Sequence, residues 1–354
     1  MAGGIGSRFW PMSKNSYPKQ FIDILGTGRT LLQQTYDRFI KICPKENIYI
    51  VTHEAYVGIV REQLPELELS QIVQEPLRRN TAPCIAYAAY KILKHNPDAN
   101  MVVAPSDHII LKEDVFVDCI NRAFKFSEQH NSLLTLGMHP TRPDTGYGYI
   151  QLNDKEHHDL HGVYKVKTFT EKPDHEMAKF FVQSGEFLWN AGIFVWSAKN
   201  IVEAIEEYLP EINSVIAEGV DVLNTPEEEA FIKKAYSQCT NISIDNGVME
   251  KAQNVYVMPA SFGWSDLGTW SSLYEHSNKD TNENAIVGKQ VMMYDSKGCI
   301  VNVPKNKLVV IQGLEDYIVA ESADGVLLIC RKQEEQHIKQ FVNDVKLNKG
   351  ERYV

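Results

Sequence analysis

The sequence has few features of a nucleic-acid-binding, disulfide-stabilised or membrane-spanning protein. Its 354 residues contain 36 lysines and arginines against 46 aspartates and glutamates, whereas a surface that binds the nucleic-acid backbone needs an excess of positive charge. The six cysteines form no Cys-x-x-Cys pair, which predicts unpaired thiols in a reducing compartment. No apolar run approaches the roughly 20 residues of a membrane span, and no signal-peptide pattern is present. We therefore expect a cytoplasmic protein without nucleic-acid or membrane partners.

The alternation of apolar runs and helical patterns predicts an α/β fold. Strand-like runs are at 47–52, 101–104 and 133–136. Helical patterns lie at 31–42, 55–63, 82–94 and 113–128. Since nearly continuous apolar strands are typical of a parallel sheet covered on both faces, we predict a Rossmann-like, doubly wound, mostly parallel sheet. Ligands of such sheets bind at the carboxyl ends of the strands.

The character of the sequence changes after about residue 280. Residues 282–332 contain short strand-like runs separated by turn signals, and a helical pattern follows at 334–345. We predict one large domain over 1–280 and a small β-rich domain with a terminal helix over 281–354. The even strand spacing is compatible with a short β-solenoid, but no repeat is regular enough to establish one.

The N-terminal segment has the composition of a polyphosphate-binding loop. It has three glycines at residues 3–6, with Arg8 and Lys19 beyond them. Glycines let backbone N–H groups crowd around an anion, and the two cations add charge. The segment lacks the Lys-Ser or Lys-Thr of a P-loop, and Phe9 stands where a dinucleotide-binding fingerprint needs its third glycine. A purely structural glycine turn would leave both cations unexplained.

Eight sequence blocks between residues 2 and 270 resemble those of the sugar-phosphate nucleotidylyltransferases, in the same order. They are AGGIGSRFWPMS (2–13), PKQF (18–21), EPLRRNTAP (75–83), PSDH (105–108), FTEKPD (169–174), WNAGIF (189–194), SIDNGVMEK (243–251) and WSDLGTW (264–270). The Trp-Pro and Pro-Lys-Gln-Phe variants are most similar to the members that transfer a guanylyl group to mannose 1-phosphate. The resemblance therefore implies that GTP and mannose 1-phosphate give GDP-mannose and pyrophosphate.

The reaction implied by the resemblance needs positioning and charge neutralisation rather than a side-chain nucleophile. The resemblance implies that Arg8 binds the triphosphate and Lys19 bridges the phosphates of the two substrates. It also implies that Asp107 and Asp266 hold Mg²⁺ or another divalent cation, which prefers one or two carboxylates plus phosphate oxygens. Taken alone, an aspartate after a strand is more often a helix cap.

The remaining site residues implied by the resemblance form two groups. The nucleotide side comprises Ala2, Gly3, Gly4, Gly6, Ser7, Glu75, Asn80, Thr81 and Ser106. The sugar-phosphate side comprises Gly146, Glu171, Lys172, Asn190 and Asp245. A carboxylate at Glu75 would accept both N–H donors on guanine and so select it over adenine. Asn80 or Thr81 fits a helix cap equally well, because Pro83 follows in the first turn.

Two further patterns have alternative interpretations. His157, His158 and His161 have a spacing that could hold zinc, but their polar surroundings over 153–162 favour a solvated loop. Trp264 and Trp270 could stack on a base, although core packing is favoured.

The resemblance also raises a question about the start of the sheet. In the family a β-strand precedes the glycine loop, whereas this sequence starts within the loop. Without that strand of roughly five or six residues, we expect unpaired backbone groups and open apolar surface.

The small C-terminal domain is expected to cover the large domain or to join two subunits in a homodimer. Two alternative functions stay open at this point. One is the same chemistry with another nucleotide or hexose 1-phosphate, and the other is a catalytically weak regulatory relative that binds a nucleotide-sugar.

Overall fold

The computed structural model describes residues 1–4, 7–158 and 162–354, which form a mixed α/β structure. Its helices are α1 Leu31–Phe39, α2 Val57–Gln63, α3 Thr81–His95, α4 Glu113–Gln129, α5 His175–Ser184, α6 Ala198–Tyr208, α7 Pro210–Ala217, α8 Glu228–Gln238, α9 Trp270–His276 and α10 Ile338–Lys349. Its strands are β1 Ile50–His53, β2 Ile72–Glu75, β3 Asn100–Val103, β4 Ile109–Ile110, β5 Leu133–Met138, β6 Tyr149–His158, β7 Val163–Thr170, β8 Phe187–Ser197, β9 Val255–Ala260, β10 Trp264–Ser265, β11 Ala285–Val287, β12 Gln290–Tyr294, β13 Ile300–Asn302, β14 Leu308–Gln312, β15 Tyr317–Glu321 and β16 Leu327–Arg331. The predicted α/β class is confirmed, and so is the β-rich character of the C-terminal region.

The direction of the strands differs from the prediction. The largest sheet has the order β3-β8-β5-β9-β7-β6, and of its neighbouring pairs only β5–β9 is parallel. The separate pair β1–β2 is parallel as expected. Four neighbouring pairs are antiparallel. β6 and β7 form a hairpin, β7 also runs opposite to β9, and the long strand β8 runs opposite to both β3 and β5. The sheet is therefore mixed rather than mostly parallel.

Helices cover both faces of the six-stranded sheet, as predicted. Side chains on β8 alternate between the two layers: Phe194 and Trp196 pack with α3 and α6, whereas Ile193 and Val195 pack with α4. Strand β8 is almost entirely buried because both of its faces are covered. This explains why its sequence reads as a continuous apolar run.

The first residues of the chain lie between β1 and β3. The amino group of Met1 donates to Ala104 O (2.8 Å), and the Ala2 N–H donates to Val51 O (2.7 Å). Behind them is a cavity of about 670 Å³ between the two strands. Apolar side chains in its wall include Ile50, Ile85, Met101 and Val103.

The C-terminal strands form a short parallel solenoid. Strand β12 pairs with β14, and β11, β13 and β15 pair in sequence order, all parallel. Partners such as Gln290 and Leu308, or Ile300 and Ile318, are 18 positions apart. Strand β16 closes the second sheet by pairing antiparallel with β15. The sequence analysis did not decide whether these strands form a solenoid, and the strand pairing shows that they form two of its coils.

The solenoid packs against the residues that follow the glycine loop. One apolar cluster contains Phe9 and Trp10 together with Ile300 and Ile318. The Trp10 indole N–H also donates to Tyr353 O at 2.7 Å. The C-terminal region therefore covers this part of the large domain, as one of the two sequence-based alternatives expected. The boundary at residue 280 stays a prediction.

Three smaller expectations concern the cysteines, the histidine pattern and membrane spans. All six cysteines are unpaired, as predicted. Strand β6 extends to His158, so the predicted loop is wrong for 153–158, while His161 lies outside the described residues. Among the residues that the structure describes, no helix is long and apolar enough to cross a membrane.

Because the solenoid and the segment after the glycine loop share a core, we predict that a cavity made in the solenoid also destabilises that segment. Ile318 is fully buried in this core, and Ile318→Ala should lower the free energy of unfolding by about 2–5 kcal/mol. Hydrogen exchange of residues 9–22 should become faster in the same variant. The matched control is Ile329→Ala, because Ile329 lies on the adjacent strand β16 but is 53% exposed. Unchanged exchange of residues 9–22 in Ile318→Ala would contradict this coupling.

Candidate active site

The glycine loop is held at its base by side chains from two other segments. Gln20 Nε2 donates to the carbonyl oxygens of Ala2 and Gly4, both at 2.9 Å, and Thr52 Oγ1 donates to Ala2 O at 2.9 Å. Ala2 and Gln20 are buried, whereas Gly4 is exposed. Gln20 belongs to the Pro-Lys-Gln-Phe block, but the sequence analysis assigned it no role. These bonds fix the loop's backbone on the protein side.

Three other residues of the loop were predicted to bind the nucleotide. Gly3 is half-buried, and Ser7 begins a short 3₁₀ turn. Gly6 lies outside the described residues.

Lys19 is a buried cation at the centre of the site. Its side chain is only 6% exposed, and its Nζ lies 2.9 Å from Asp107 Oδ2. The same ammonium donates to Asp266 O at 2.7 Å and to Leu267 O at 3.1 Å. A buried charge needs such oxygen partners to offset its lost hydration. Lys19 thereby brings the loop region next to both predicted metal ligands.

Asp107 and Asp266 are far apart in the sequence but are brought together by a small antiparallel ladder. Strand β4 follows Asp107 and strand β10 precedes Asp266, and the two strands pair with Ser265 opposite Ile109. Burial alone would raise the pKa of Asp107, but Lys19 and His108 outweigh it, and the pKa is lower than usual. The carboxyl group is thus held ionised, as a metal ligand must be.

The turn after β10 shapes the surroundings of Asp266. Leu267 has a φ of +46°, a conformation that costs a non-glycine residue about 1–3 kcal/mol. A Cβ on Gly268 would lie 2.8 Å from Asp266 Oδ2, so a larger residue there would have to displace that carboxylate. Arg8 is exposed and its Nη1 lies 3.4 Å from Gly268 O, which places the guanidinium above this turn.

These residues have the donor chemistry that a hard divalent cation requires. Asp107 and Asp266 both adjoin Lys19 and each has a carboxylate to offer, and phosphate oxygens and water would complete the shell. Among the described residues, no group of three or more histidine, cysteine, aspartate or glutamate side chains forms a closed metal site. Two carboxylates without a third protein ligand fit a cation that is shared with a phosphorylated substrate.

The predicted sugar-phosphate residues form a second cluster. Asn190 Nδ2 donates to Asp245 Oδ1 at 2.8 Å, and Thr135 Oγ1 donates to Asn190 Oδ1 at 3.0 Å. Lys172, whose φ is +48°, forms an ion pair with Glu171 at 2.7 Å. Burial, with a further contribution from Glu171, raises the pKa of Asp245 to about 6. Glu171, Lys172, Asn190 and Asp245 are thus brought together, and their role in binding the sugar phosphate stays a prediction.

A glycine that sequence reasoning missed lies inside this second cluster. A Cβ on Gly148 would lie 2.4 Å from Glu171 Oε2 and 3.3 Å from Asn190 Cβ. The predicted Gly146 is instead exposed, and its N–H donates to Asp144 Oδ1 at 2.9 Å. Both glycines belong to the Gly-Tyr-Gly-Tyr run, so the spacing alone could not decide between them. Contact with the cluster favours Gly148.

The predicted base-recognition residues have structural partners. Glu75 ends strand β2, is buried, and accepts a hydrogen bond from Tyr236 at 3.2 Å. Burial raises the pKa of Glu75 to about 7, although the bond from Tyr236 lowers it. Asn80 caps α3, as the alternative interpretation stated. The hydroxyl of Thr81 accepts from Ile244 N at 2.8 Å, so it ties the start of α3 to the segment that carries Asp245.

Three other residues from the sequence analysis have clear positions. Ser106 is buried, and its hydroxyl makes no hydrogen bond to the described residues. Trp270 is fully buried and packs on Phe9 with ring centroids 5.3 Å apart, so the core interpretation is correct for it. Trp264 is only half-buried and donates its indole N–H to His108 Nδ1 at 3.1 Å.

A family model described as nucleotidyl transferase matches residues 1–283. The chain belongs to the nucleotidyl transferase family. A second model, described as MannoseP isomerase/GMP-like β-helix domain, matches residues 289–345. The family resemblance and the enzyme class predicted from the eight sequence blocks are therefore confirmed.

Curated relatives match along the whole chain of this nucleotidyl transferase. The mannose-1-phosphate guanylyltransferase of Escherichia coli is 36% identical over 100% of this chain and 74% of its own length. The alginate biosynthesis protein AlgA of Pseudomonas putida is 36% identical over 97% of this chain and 70% of its own length. A solved structure, titled mannose-1-phosphate geranyltransferase and from Thermus thermophilus, has a TM-score of 0.87 and 28% identity and covers 98% of both chains.

The close approach at Gly148 generates a prediction about the sugar-phosphate side. In Gly148→Ala the new methyl group should displace the Glu171 carboxylate, which is the movable end of a side chain, and leave the fold intact. We expect the KM for the sugar phosphate to rise about tenfold or more, since a hydrogen bond to a charged group contributes about 1.5–3 kcal/mol. Steady-state kinetics with circular dichroism would measure both effects. Gly58→Ala in helix α2 is the control, because its Cβ would meet nothing within 4 Å. Equal KM values for the parent and Gly148→Ala would contradict the assignment.

The raised pKa of Glu75 generates a prediction about stability and pH. The pKa is about 7 in the folded protein against an ordinary value of 4.5, so the folded state binds more protons between these values. Its contribution to stability should therefore fall as pH rises through this window. Glutamine cannot ionise, so the melting temperature of Glu75→Gln relative to the parent should increase from pH 5 to pH 8. The exposed Glu62→Gln is the control and should show no such trend. A constant difference between Glu75→Gln and the parent would contradict the raised pKa.

Proposed function

We propose that this nucleotidyl transferase uses GTP and mannose 1-phosphate to form GDP-mannose and pyrophosphate. An oxygen of the mannose 1-phosphate attacks the α-phosphorus of GTP, a new P–O bond forms, and the bond from the α-phosphorus to the pyrophosphate oxygen breaks. The attacking phosphate is largely ionised near pH 7, so no general base is required. Positioning and charge stabilisation supply the catalysis.

The observation that carries the proposal is the position of Lys19. Its ammonium lies among Asp107 Oδ2, Asp266 O and Leu267 O, beside the glycine loop. A cation at this place serves the phosphates of both substrates, because it adjoins the nucleotide loop and the predicted metal ligands at once. The names of the curated relatives support GTP and mannose 1-phosphate as the pair of substrates.

On the nucleotide side, the proposal assigns the triphosphate to the glycine loop and Arg8. Arg8 is exposed above the turn at Gly268, where its planar guanidinium is free to bind phosphate oxygens and stabilise the leaving pyrophosphate. Glu75 is proposed to select the guanine base. Asn80 and Thr81 support this side chiefly by shaping the start of α3.

On the sugar side, the proposal assigns the hexose hydroxyls to Glu171, Asn190 and Asp245. Asn190 is oriented by Thr135 and Asp245, so its amide has a fixed direction before substrate binds. Lys172 is proposed to bind the phosphate of the sugar. Gly148 keeps the space beside Glu171 open.

Asp107 and Asp266 are proposed to hold the divalent cation, Mg²⁺ being the expected one. The cation would neutralise charge on the phosphate oxygens of the nucleotide. The ion pair of Lys19 with Asp107 would offset part of the negative charge of the two carboxylates. A homodimer and a cytoplasmic location remain proposals.

A substrate panel tests the proposed function. Pyrophosphate release should be measured with four nucleoside triphosphates and several hexose 1-phosphates in the presence of Mg²⁺. We expect GTP with mannose 1-phosphate to give the highest kcat/KM, and Arg8→Ala to lower it by about 100-fold or more, as is typical when a charge-stabilising group is removed. The solvated Arg61→Ala on helix α2 serves as the control, with no expected effect.

The panel separates the proposal from both alternatives. A different preferred pair of substrates would assign the same chemistry to another nucleotide or sugar. No turnover with any pair, together with tight binding of a nucleotide-sugar, would indicate a regulatory relative. The presence of Arg8, Lys19 and both aspartates argues against that second outcome.

A further inference from the structure

The carboxylate of Asp266 has one occupied and one open oxygen. The Tyr147 hydroxyl donates to Asp266 Oδ1 at 2.8 Å, and the Gly268 N–H donates to the same oxygen at 2.9 Å. The other oxygen, Oδ2, accepts no hydrogen bond from the residues that the structure describes. Two donors on one oxygen fix the rotation of the carboxylate and leave the second oxygen available to a ligand.

The ring of Tyr147 is itself held by a cluster of aromatic side chains. Its centroid lies 5.0 Å from the Trp189 ring and 5.1 Å from the Trp264 ring. The Arg142 guanidinium lies 5.9 Å from the Tyr147 ring and 5.4 Å from the Trp189 ring. Such contacts leave the phenol little freedom, so its hydroxyl stays directed at Asp266.

Trp264 connects this cluster to the other aspartate. Its indole N–H donates to His108 Nδ1 at 3.1 Å, and the two rings meet edge to face at 5.5 Å. His108 directly follows Asp107, and Trp264 lies two residues before Asp266. The two carboxylates are thus joined by a continuous set of packed side chains as well as by the β4–β10 ladder.

The backbone of Tyr147 reaches the sugar-phosphate side. Its carbonyl oxygen accepts from Lys172 N at 3.3 Å, next to the positive φ of Lys172. The following residue, Gly148, accepts from Asn190 N at 2.8 Å. One short stretch of chain therefore contacts Asp266 with its hydroxyl and the sugar-side cluster with its backbone.

We propose that Tyr147 is a positioning residue that orients Asp266 for the divalent cation, with one carboxylate oxygen bound to the phenol and the other left for the metal. The inference rests on the metal role of Asp266 in the proposed function. The predicted contribution lies in metal affinity, since a partner that orients a ligand typically changes affinity about 10- to 100-fold.

Tyr147→Phe is the decisive variant, because it removes the hydroxyl and keeps the ring in the aromatic cluster. We expect the Mg²⁺ concentration for half-maximal activity to rise about tenfold. The kcat at saturating Mg²⁺ and the KM for mannose 1-phosphate should change less than about threefold, because the backbone contacts to Lys172 and Asn190 remain. Independently of turnover, Mn²⁺ binding measured by water proton relaxation with GTP present and mannose 1-phosphate absent should weaken by a similar factor.

The matched control is Tyr149→Phe, two residues further along the chain. The Tyr149 hydroxyl donates to the backbone oxygen of Asp144 at 3.0 Å and does not contact Asp266. This variant should keep the parent's Mg²⁺ dependence and Mn²⁺ binding. Thermal melting of all variants checks that Tyr147→Phe is folded.

Asp266→Asn distinguishes failure of the inference from failure of the proposed function. If Asp266→Asn weakens Mn²⁺ binding but Tyr147→Phe leaves both metal measurements at the parent value, the positioning role of Tyr147 is overturned. If Asp266→Asn itself leaves Mn²⁺ binding unchanged, the metal role of Asp266 fails and the inference fails with it. Weakened binding in both variants, with Tyr149→Phe unaffected, supports the positioning role.

Discussion

The site depends on a buried ammonium group that needs oxygen partners. Lys19 is nearly removed from water, and the loss of hydration costs several kcal/mol unless protein oxygens replace it. Those oxygens come from Asp107 and from the Asp266–Leu267 backbone, which lie in distant parts of the chain. Satisfying one cation therefore forces three segments into contact. A phosphate-binding loop and two carboxylates become neighbours as a result.

Of the seven described non-glycine residues with positive φ, three lie in the segments that meet at the site. Asn80, Lys172 and Leu267 all have positive φ although none is glycine, and each costs about 1–3 kcal/mol. Each is held by surrounding contacts: the cap of α3, the carbonyl of Tyr147 and the ammonium of Lys19. The fold stabilises these conformations so that polar groups are directed before a ligand arrives. Such order reduces the entropy lost on binding.

The candidate site residues could be proposed from the sequence because they occur in short local blocks. The glycines at 3–6 with Arg8 and Lys19 indicate a phosphate-binding loop by their residue types, whereas the metal role of Asp107 and Asp266 was implied only by the resemblance of their blocks to the family. Other features depend on the tertiary structure. The antiparallel course of β8 follows from which strands it meets, and the choice of Gly148 over Gly146 follows from contact with Glu171. No sequence pattern indicates the direction of β8 or the contact between Gly148 and Glu171.

The apolar cluster between the loop region and the solenoid has a consequence for cooperativity. Phe9 and Trp10 share their core with Ile300 and Ile318, so neither part can lose its packing alone. The two regions should unfold in a single thermal transition, although two family models match them separately. Selection on catalysis then also acts on the solenoid residues that share this core, Ile300 and Ile318 among them.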